Sequence, residues 1–230
     1  MMKKAVILLS GGIDSTTCLA LAKKDKFQCY ALSFNYGQKS QAEIFAAKKI
    51  AKNNQVIKHK IVNLQDLGSF GGSAITDNNI ELKTSNHSDD IPSSYVPGRN
   101  TVFLSIALSW AEAISAEAIY IGAHKDDYDN YPDCRAEFIE SFQNMANLSN
   151  RKAIEGKPIT IMSPLINLKK SAIISMGTKL GVDYTDTVTC YQITEDNVAC
   201  GKCLSCTTRK ESFANAGIID PANYQCKIAT

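Results

Sequence analysis

The stretch that most constrains this chain is its beginning, where the apolar run K-A-V-I-L-L at residues 4–9 stops at S-G-G-I-D-S (10–15). Leu19, Ala20 and Ala22 then recur at helical spacing through residue 24. A buried strand, a tight turn and a helix in that order aim backbone N–H groups and the positive end of the helix at one point. An anion belongs there. Gly11 and Gly12 carry no side chain to hold phosphate oxygens off the main chain, and either accepts positive φ. Ser10 and Ser15 add hydroxyl donors. Asp14 is the odd member, because a carboxylate beside phosphates repels them unless it holds Mg²⁺ or caps the helix. A plain β–α turn, with Gly for shape and Ser or Asp for capping, accounts for the same residue types. The full string between its two flanking elements favours nucleotide binding. It fits neither G-x-x-x-x-G-K-[ST] nor G-x-G-x-x-G, which disfavours a Walker-type motor and a dinucleotide dehydrogenase.

The strand–helix alternation continues. Residues 28–34, 56–62, 117–122 and 159–162 read as strands, while 41–53, 102–114 and 135–148 read as helices. Alternating elements of this length predict an α/β fold, a Rossmann-like parallel sheet of about five strands with helices on both faces. Residues 68–98 break the rhythm with clustered Gly, Ser, Asn and Asp, as expected of a substrate or lid loop. From Cys190 the composition shifts, with five of the eight cysteines in the last forty-one residues. The expected division is an ATP-binding α/β domain over 1–185 and a small C-terminal zinc-binding module over 186–230, packed on it.

At 230 residues and a formal charge of +2, with lysines interspersed among acidic residues, the chain lacks the basic stripe of a protein built to grip nucleic acid. The first apolar run is too short for a secretory signal, and no run approaches the roughly 18 apolar residues of a membrane span. A cytoplasmic location is the expectation, with no membrane partner. In a reducing compartment clustered cysteines become metal candidates. Cys200, Cys203 and Cys206 stand in C-G-K-C-L-S-C, and Cys190 lies ten residues upstream. Four thiolates suit tetrahedral, coordinatively closed Zn²⁺. The ferredoxin pattern would continue with a cysteine where Lys210 stands, and a redox C-x-x-C is the other rival. Cys18 and Cys29 read as buried packing residues.

The S-G-G-I-D-S string resembles the pyrophosphate loop of the S-G-G-x-D-S ATP pyrophosphatases, a superfamily that cleaves ATP between its α and β phosphates to make an adenylated acid or amide. Further strings narrow this: F-N-Y-G-Q (34–38), Y-V-P-G-R-N (95–100), Y-P-D-C-R (131–135), T-C-Y (189–191) and A-G-I-I-D-P-A-N-Y (216–224). Together they resemble the 7-cyano-7-deazaguanine synthase family over nearly the whole chain. The resemblance implies a ligase that uses ATP to convert 7-carboxy-7-deazaguanine and ammonia to 7-cyano-7-deazaguanine (preQ0), on the route to queuosine. It passes through an adenylated acid, an amide and an adenylated amide. It further implies ATP binding by Leu9, Ser10, Gly11, Gly12, Ile13, Asp14, Ser15, Thr16, Thr17, Cys18 and Leu19. Structural Zn²⁺ falls to Cys190, Cys200, Cys203 and Cys206, catalytic roles to Asp14, Ser15 and Lys170, Mg²⁺ joins ATP as cofactor, and a homodimer is expected.

Tyr36, Gln38, Arg99, Asn100, Tyr131, Asp133 and Arg135 become candidates for the substrate pocket. A deazapurine acid needs an Arg fork for its carboxylate and a carboxylate or amide for its guanine-like edge, so the residue types suit. Each has a plainer reading. Pro97-Gly98 can shape a turn before a helix capped by Asn100, Arg99 can form a surface ion pair, and Asp133 and Arg135 can cap and charge a helix start. Tyr36 and Tyr131 can be core or rim residues. Lys170 suits a departing pyrophosphate, or is a solvated helix lysine. Two departures from the family pattern stand out: Asp129-Asn130 replaces the usual Ser-Gly, and Ala172 replaces a usual glutamate. The chief rival function is a tRNA-modifying enzyme of thiolase type within the superfamily; a non-enzymatic zinc-ribbon adaptor leaves the loop without purpose.

Overall fold

The first strand, β1 (Lys4–Leu8), is buried on both faces, which is why its sequence is a continuous apolar run rather than an alternating one. In the computed structural model, which describes residues 2–81, 91–127, 131–194 and 198–225, β1 lies at the centre of a five-stranded sheet. The other strands are β2 (Gln28–Asn35), β3 (Lys58–Asn63), β4 (Ala118–Tyr120) and β5 (Thr160–Met162). Their order is β3-β2-β1-β4-β5 and every pairing is parallel. The expected fold class is therefore observed.

Eight α-helices, α1 (Ile13–Lys24), α2 (Ala42–Asn53), α3 (Gln65–Ser69), α4 (Arg99–Ala113), α5 (Ala136–Ser149), α6 (Arg151–Ile154), α7 (Lys170–Lys179) and α8 (Leu204–Asn215), and two short 3-10 helices, Lys125–Asp127 and Pro132–Cys134, complete the described chain. Alternation along β1 sorts them. Ala5, Ile7 and Leu9 face a core built with Leu19 and Ala22 of α1, Ala47 and Ile50 of α2, and Ile173 and Ile174 of α7. Val6 and Leu8 face the other layer, with Leu104 and Leu108 of α4 and Phe142 of α5. β3 is an outer strand carrying exposed Lys58 and Lys60, a charged edge that discourages further strand pairing.

The sequence expectation placed four helices within a few residues of α1, α2, α4 and α5, but gave no bounds for the others. Residues 68–98 hold no regular element between Ser69 and Arg99 among the described residues, and the two limbs meet where Ala74 N donates to Ser93 O at 2.7 Å. Asp129 and Asn130, and the middle of that loop, lie outside the described residues.

The order of the strands fixes where a ligand goes. Successive connections leave β1 toward β2 on one side and reach β4 on the other, so a crevice opens at the carboxyl ends of β1 and β4. The C-terminal segment packs into the same core: Phe213 of α8 is 1% exposed and meets Tyr184 edge-on, ring centroids 5.7 Å apart. Truncating it with Phe213→Ala should cost about 3–5 kcal/mol in chemical denaturation of the metal-loaded chain. A single cooperative transition shifted to lower denaturant is expected; a cost near zero would contradict shared packing.

Candidate active site

At the end of β1, Leu9 N donates to Leu32 O at 2.9 Å, and the chain then turns through Gly11 at φ +90°. A Cβ on Gly11 would lie 2.5 Å from Glu43 O and 2.9 Å from Ala47 N, so the loop is pressed against the backbone of α2. Only glycine suits that contact and that φ together. Gly12 is extended and begins α1 without a side-chain cap, leaving the first N–H groups of the helix open. The two serine hydroxyls brace the turn: Ser10 Oγ and Ser15 Oγ lie 3.0 Å apart, Gly12 N donates to Ser10 Oγ at 3.3 Å, and Ser15 Oγ donates to Gly12 O at 3.1 Å.

Asp14 does not serve as the helix cap. Its Oδ2 accepts from Lys170 Nζ at 2.5 Å, and His124 Nε2 lies 3.0 Å from the same ammonium and 3.3 Å from Asp127 Oδ2. Burial raises the Asp14 carboxyl, but Lys170 and then His124 outweigh it and hold it below the usual carboxylate range. Burial likewise depresses Lys170, and the charges of Asp14 and Asp127 reverse the sign. The pair is thus ionised on both sides. Asp14 Oδ1 and His124 Nδ1 remain buried without a hydrogen-bond partner among the described residues. Gly122, at the end of β4, leaves room for this cluster, since a Cβ there would stand 3.1 Å from Asp14 Cβ.

The crevice is a cavity of about 300 Å³. Leu9, Ser10, Asp14 and Ser15 reach it from the loop, Tyr36 and Gln38 from the end of β2, Arg99 and Asn100 from the start of α4, and Tyr131 from the segment before α5. Other residues of the implied ATP stretch, Ile13, Thr17, Cys18 and Leu19, are turned into the core. Thr16 Oγ1 is spent on Gly12 O at 2.7 Å. Asp133 is buried beneath the cavity, where its Oδ2 accepts from Asn100 N at 2.9 Å, so it satisfies the amino end of α4 from a distance. Asn100 is the second helical residue, not the cap, and its side chain donates to Asp133 O at 3.0 Å. Arg135 is exposed at the amino boundary of α5 and does not line the cavity. Arg99 does; burial works against its charge, and the neighbouring Tyr36 hydroxyl and Asp133 carboxylate outweigh that cost.

Sequence reasoning missed His124, Asp127, Glu43, Ser94 and Tyr191. A single His four residues beyond a buried strand gave little signal by itself; its position at the carboxyl end of a strand flanking the crevice was the clue. Ser94 Oγ and Tyr131 Oη lie 2.9 Å apart across the cavity wall.

Tyr191 comes from the cysteine segment. Cys190, Cys200, Cys203 and Cys206 are all buried, with sulfurs within 4.8 Å of one another. Tetrahedral Zn–S bonds of about 2.3 Å separate sulfurs by about 3.8 Å, and Cys200 Sγ and Cys206 Sγ are 3.9 Å apart. Cys190 Sγ accepts from Gln192 N and Cys200 N, both at 3.3 Å, as thiolate ligands commonly do. The donor set therefore fits a metal ion.

A parallel sheet whose switch-point crevice holds a glycine-bent S-G-G-x-D-S loop and a charged, half-enclosed cavity defines an α/β protein of the phosphate-loop class. Within that class the chain belongs to the family described as queuosine biosynthesis protein QueC, whose model matches residues 4–217. It is 54% identical to a 7-cyano-7-deazaguanine synthase of Coxiella burnetii over 99% of this chain and 100% of the relative. A 7-cyano-7-deazaguanine synthase of Legionella pneumophila is 58% identical over 97% of this chain and 98% of its own. Among solved structures, an NMN synthetase from Francisella tularensis shares the fold, with a TM-score of 0.51 and 17% identity over 95% of this chain and 79% of that one. No helix among the described residues is long and apolar enough to cross a membrane.

Metal analysis of purified protein should find about one zinc per chain, lost together with thermal stability on Cys203→Ser. Absorbance typical of an iron–sulfur cluster would contradict the assignment.

Proposed function

We propose that the chain is an ATP-dependent ligase that converts 7-carboxy-7-deazaguanine and ammonia to 7-cyano-7-deazaguanine. The observation that carries this reading is that the loop and a half-buried arginine, Arg99, share one cavity. Arg99 can take the substrate carboxylate as a fork, and the loop amides with the open amino end of α1 can take the phosphates. Gln38 is itself tied to Tyr36 N and Phe34 O, at 2.8 and 3.1 Å, so it shapes the pocket while Tyr36 and Tyr131 offer ring faces to a purine.

In the proposed sequence a carboxylate oxygen attacks the α-phosphorus and pyrophosphate departs. Ammonia then displaces AMP to give the amide. The amide oxygen attacks the α-phosphorus of a second ATP and expels a second pyrophosphate; loss of the two N–H protons with cleavage of the C–O bond then leaves the nitrile and AMP. Lys170 would swing from Asp14 toward the departing pyrophosphate, Ser15 would hold the turn, and His124 would keep the Lys170 ammonium oriented. Asp14, with its unpartnered Oδ1, would hold Mg²⁺, which supplies charge neutralisation on the phosphates when bound. The four cysteines would hold a closed, structural Zn²⁺, and residues 186–230 act as its module against the 1–185 domain. The substrates are small molecules; the cytoplasm and a homodimeric state are the setting this reading expects.

A sulfur-carrying tRNA thiolase would need a reactive cysteine near the loop. Burial instead pushes the Cys134 thiol, the one cysteine among the described residues that lines the cavity, up to about 12.

Incubation with ATP, Mg²⁺, ammonium and the carboxy-deazaguanine should yield the amide and then the nitrile by mass spectrometry, with AMP and pyrophosphate as co-products. Asp14→Ala should lower turnover at least about a hundredfold while its circular dichroism spectrum stays unchanged. A fully active variant, or ADP and phosphate as co-products, would contradict the assignment.

A further inference from the structure

Glu43 has no role in the mechanism so far, yet it lines the cavity beside Arg99, Tyr36 and Tyr191. It sits in the first turn of α2, the turn whose backbone touches Gly11, so its carboxyl shares a chamber with both the phosphate loop and the guanidinium. No hydrogen bond or ion pair to that carboxyl comes from the described residues, although a carboxylate in a helix's first turn could have been spent on capping. We infer that Glu43 captures ammonium in the cavity and takes the proton that frees its nitrogen lone pair, an inference that rests on the ligase reading above.

The chemistry requires such a group. Near neutral pH ammonium has no lone pair to offer, and the adenylated acid needs one. Proton transfer from NH₄⁺ to the carboxylate gives NH₃ and a neutral carboxylic acid. The lone pair then forms the C–N bond, the acyl C–O bond breaks with its electrons staying on the AMP oxygen, and the extra N–H proton passes to that phosphate or to water. The carboxyl returns its proton to solvent between turnovers. Burial raises Glu43 to about 7 against the opposing charge of Arg99, close to the pH at which such a base is most effective. The groups facing it are Arg99 from α4, Tyr36 after β2, Tyr191 from the cysteine segment and, on the same cavity wall, Lys39. Because Arg99 is the charge that opposes the rise, Glu43 stands at the end of the chamber suited to the substrate's acid. A carboxylate reading the guanine-like edge would instead be needed some way from that guanidinium.

The test is Glu43→Gln in the full-length, metal-loaded chain, with the two half-reactions measured apart. Acid-dependent exchange of pyrophosphate into ATP, run without ammonium, should match the parent. Amide formation from ammonium at pH 7 should fall about a hundredfold, and the deficit should close as pH rises toward the pKa of ammonium. Hydroxylamine, largely neutral at pH 7, should form the hydroxamate equally well with parent and variant. Parent-like amide formation at pH 7, or loss of exchange in the variant, would overturn the inference; the second outcome would make Glu43 a reader of the acid substrate. A parent without exchange activity would strike the ligase reading itself, and this inference with it.

Discussion

The close contact of Gly11 with the first turn of α2 is the constraint on which the site depends. A backbone turn at φ +90° that touches Glu43 O and Ala47 N can be made only without a side chain, and it brings three separate things to one place. Ser10 and Ser15 are brought to the rim of the crevice, α1 begins at Gly12 with no side-chain cap, and the carboxyl of Glu43 is delivered to the same chamber as Arg99. Gly11 therefore does more than admit phosphate oxygens to the main chain. It sets the spacing between loop and helix that gives the cavity its far wall.

That turn is also held from the other end of the chain. Val188 N donates to Gly11 O at 3.0 Å, two residues before the first cysteine of the cluster. Thr187 is gripped by buried Arg209, whose Nη1 donates to Thr187 Oγ1 at 2.9 Å and whose Nε donates to Asp220 at 3.0 Å. Ser205 Oγ closes the link to Thr189 O at 2.6 Å. A metal drawing the four cysteines together would thus fix α8 and the 187–191 strap, and through the strap the phosphate loop and Tyr191 in the cavity wall. The Asp14–Lys170 pair supplies the remaining restraint. Removing one partner would leave a partly buried charge uncompensated, so the pair also locks α7 to the loop.

How much of this could be read from residues alone follows from the range of the forces involved. The loop and the sheet were legible because β1 is buried on both faces and the strand–turn–helix pattern is local. The cysteine cluster was legible because ligand chemistry leaves a spacing. α8 was obscured because its buried face includes Ser212 and Arg209, the latter answered by Asp220 and Thr187 elsewhere in the chain. Asp133 and Arg135 look alike in sequence as substrate ligands, yet one satisfies the amino end of α4 across thirty-three residues and the other is exposed. His124, Asp127 and Glu43 become meaningful only when the strand order brings three chain segments to one crevice. Such encounters are properties of topology, and no window of sequence contains them.

Function at this site requires that the main chain after β1 bind a triphosphate. Isothermal titration of the zinc-replete protein with Mg²⁺-ATP, and separately with adenosine, tests it most directly. Saturable heat is expected with ATP, and far weaker binding with adenosine. Equal binding of the two, or no heat with ATP even in the presence of the deazapurine acid, would contradict it.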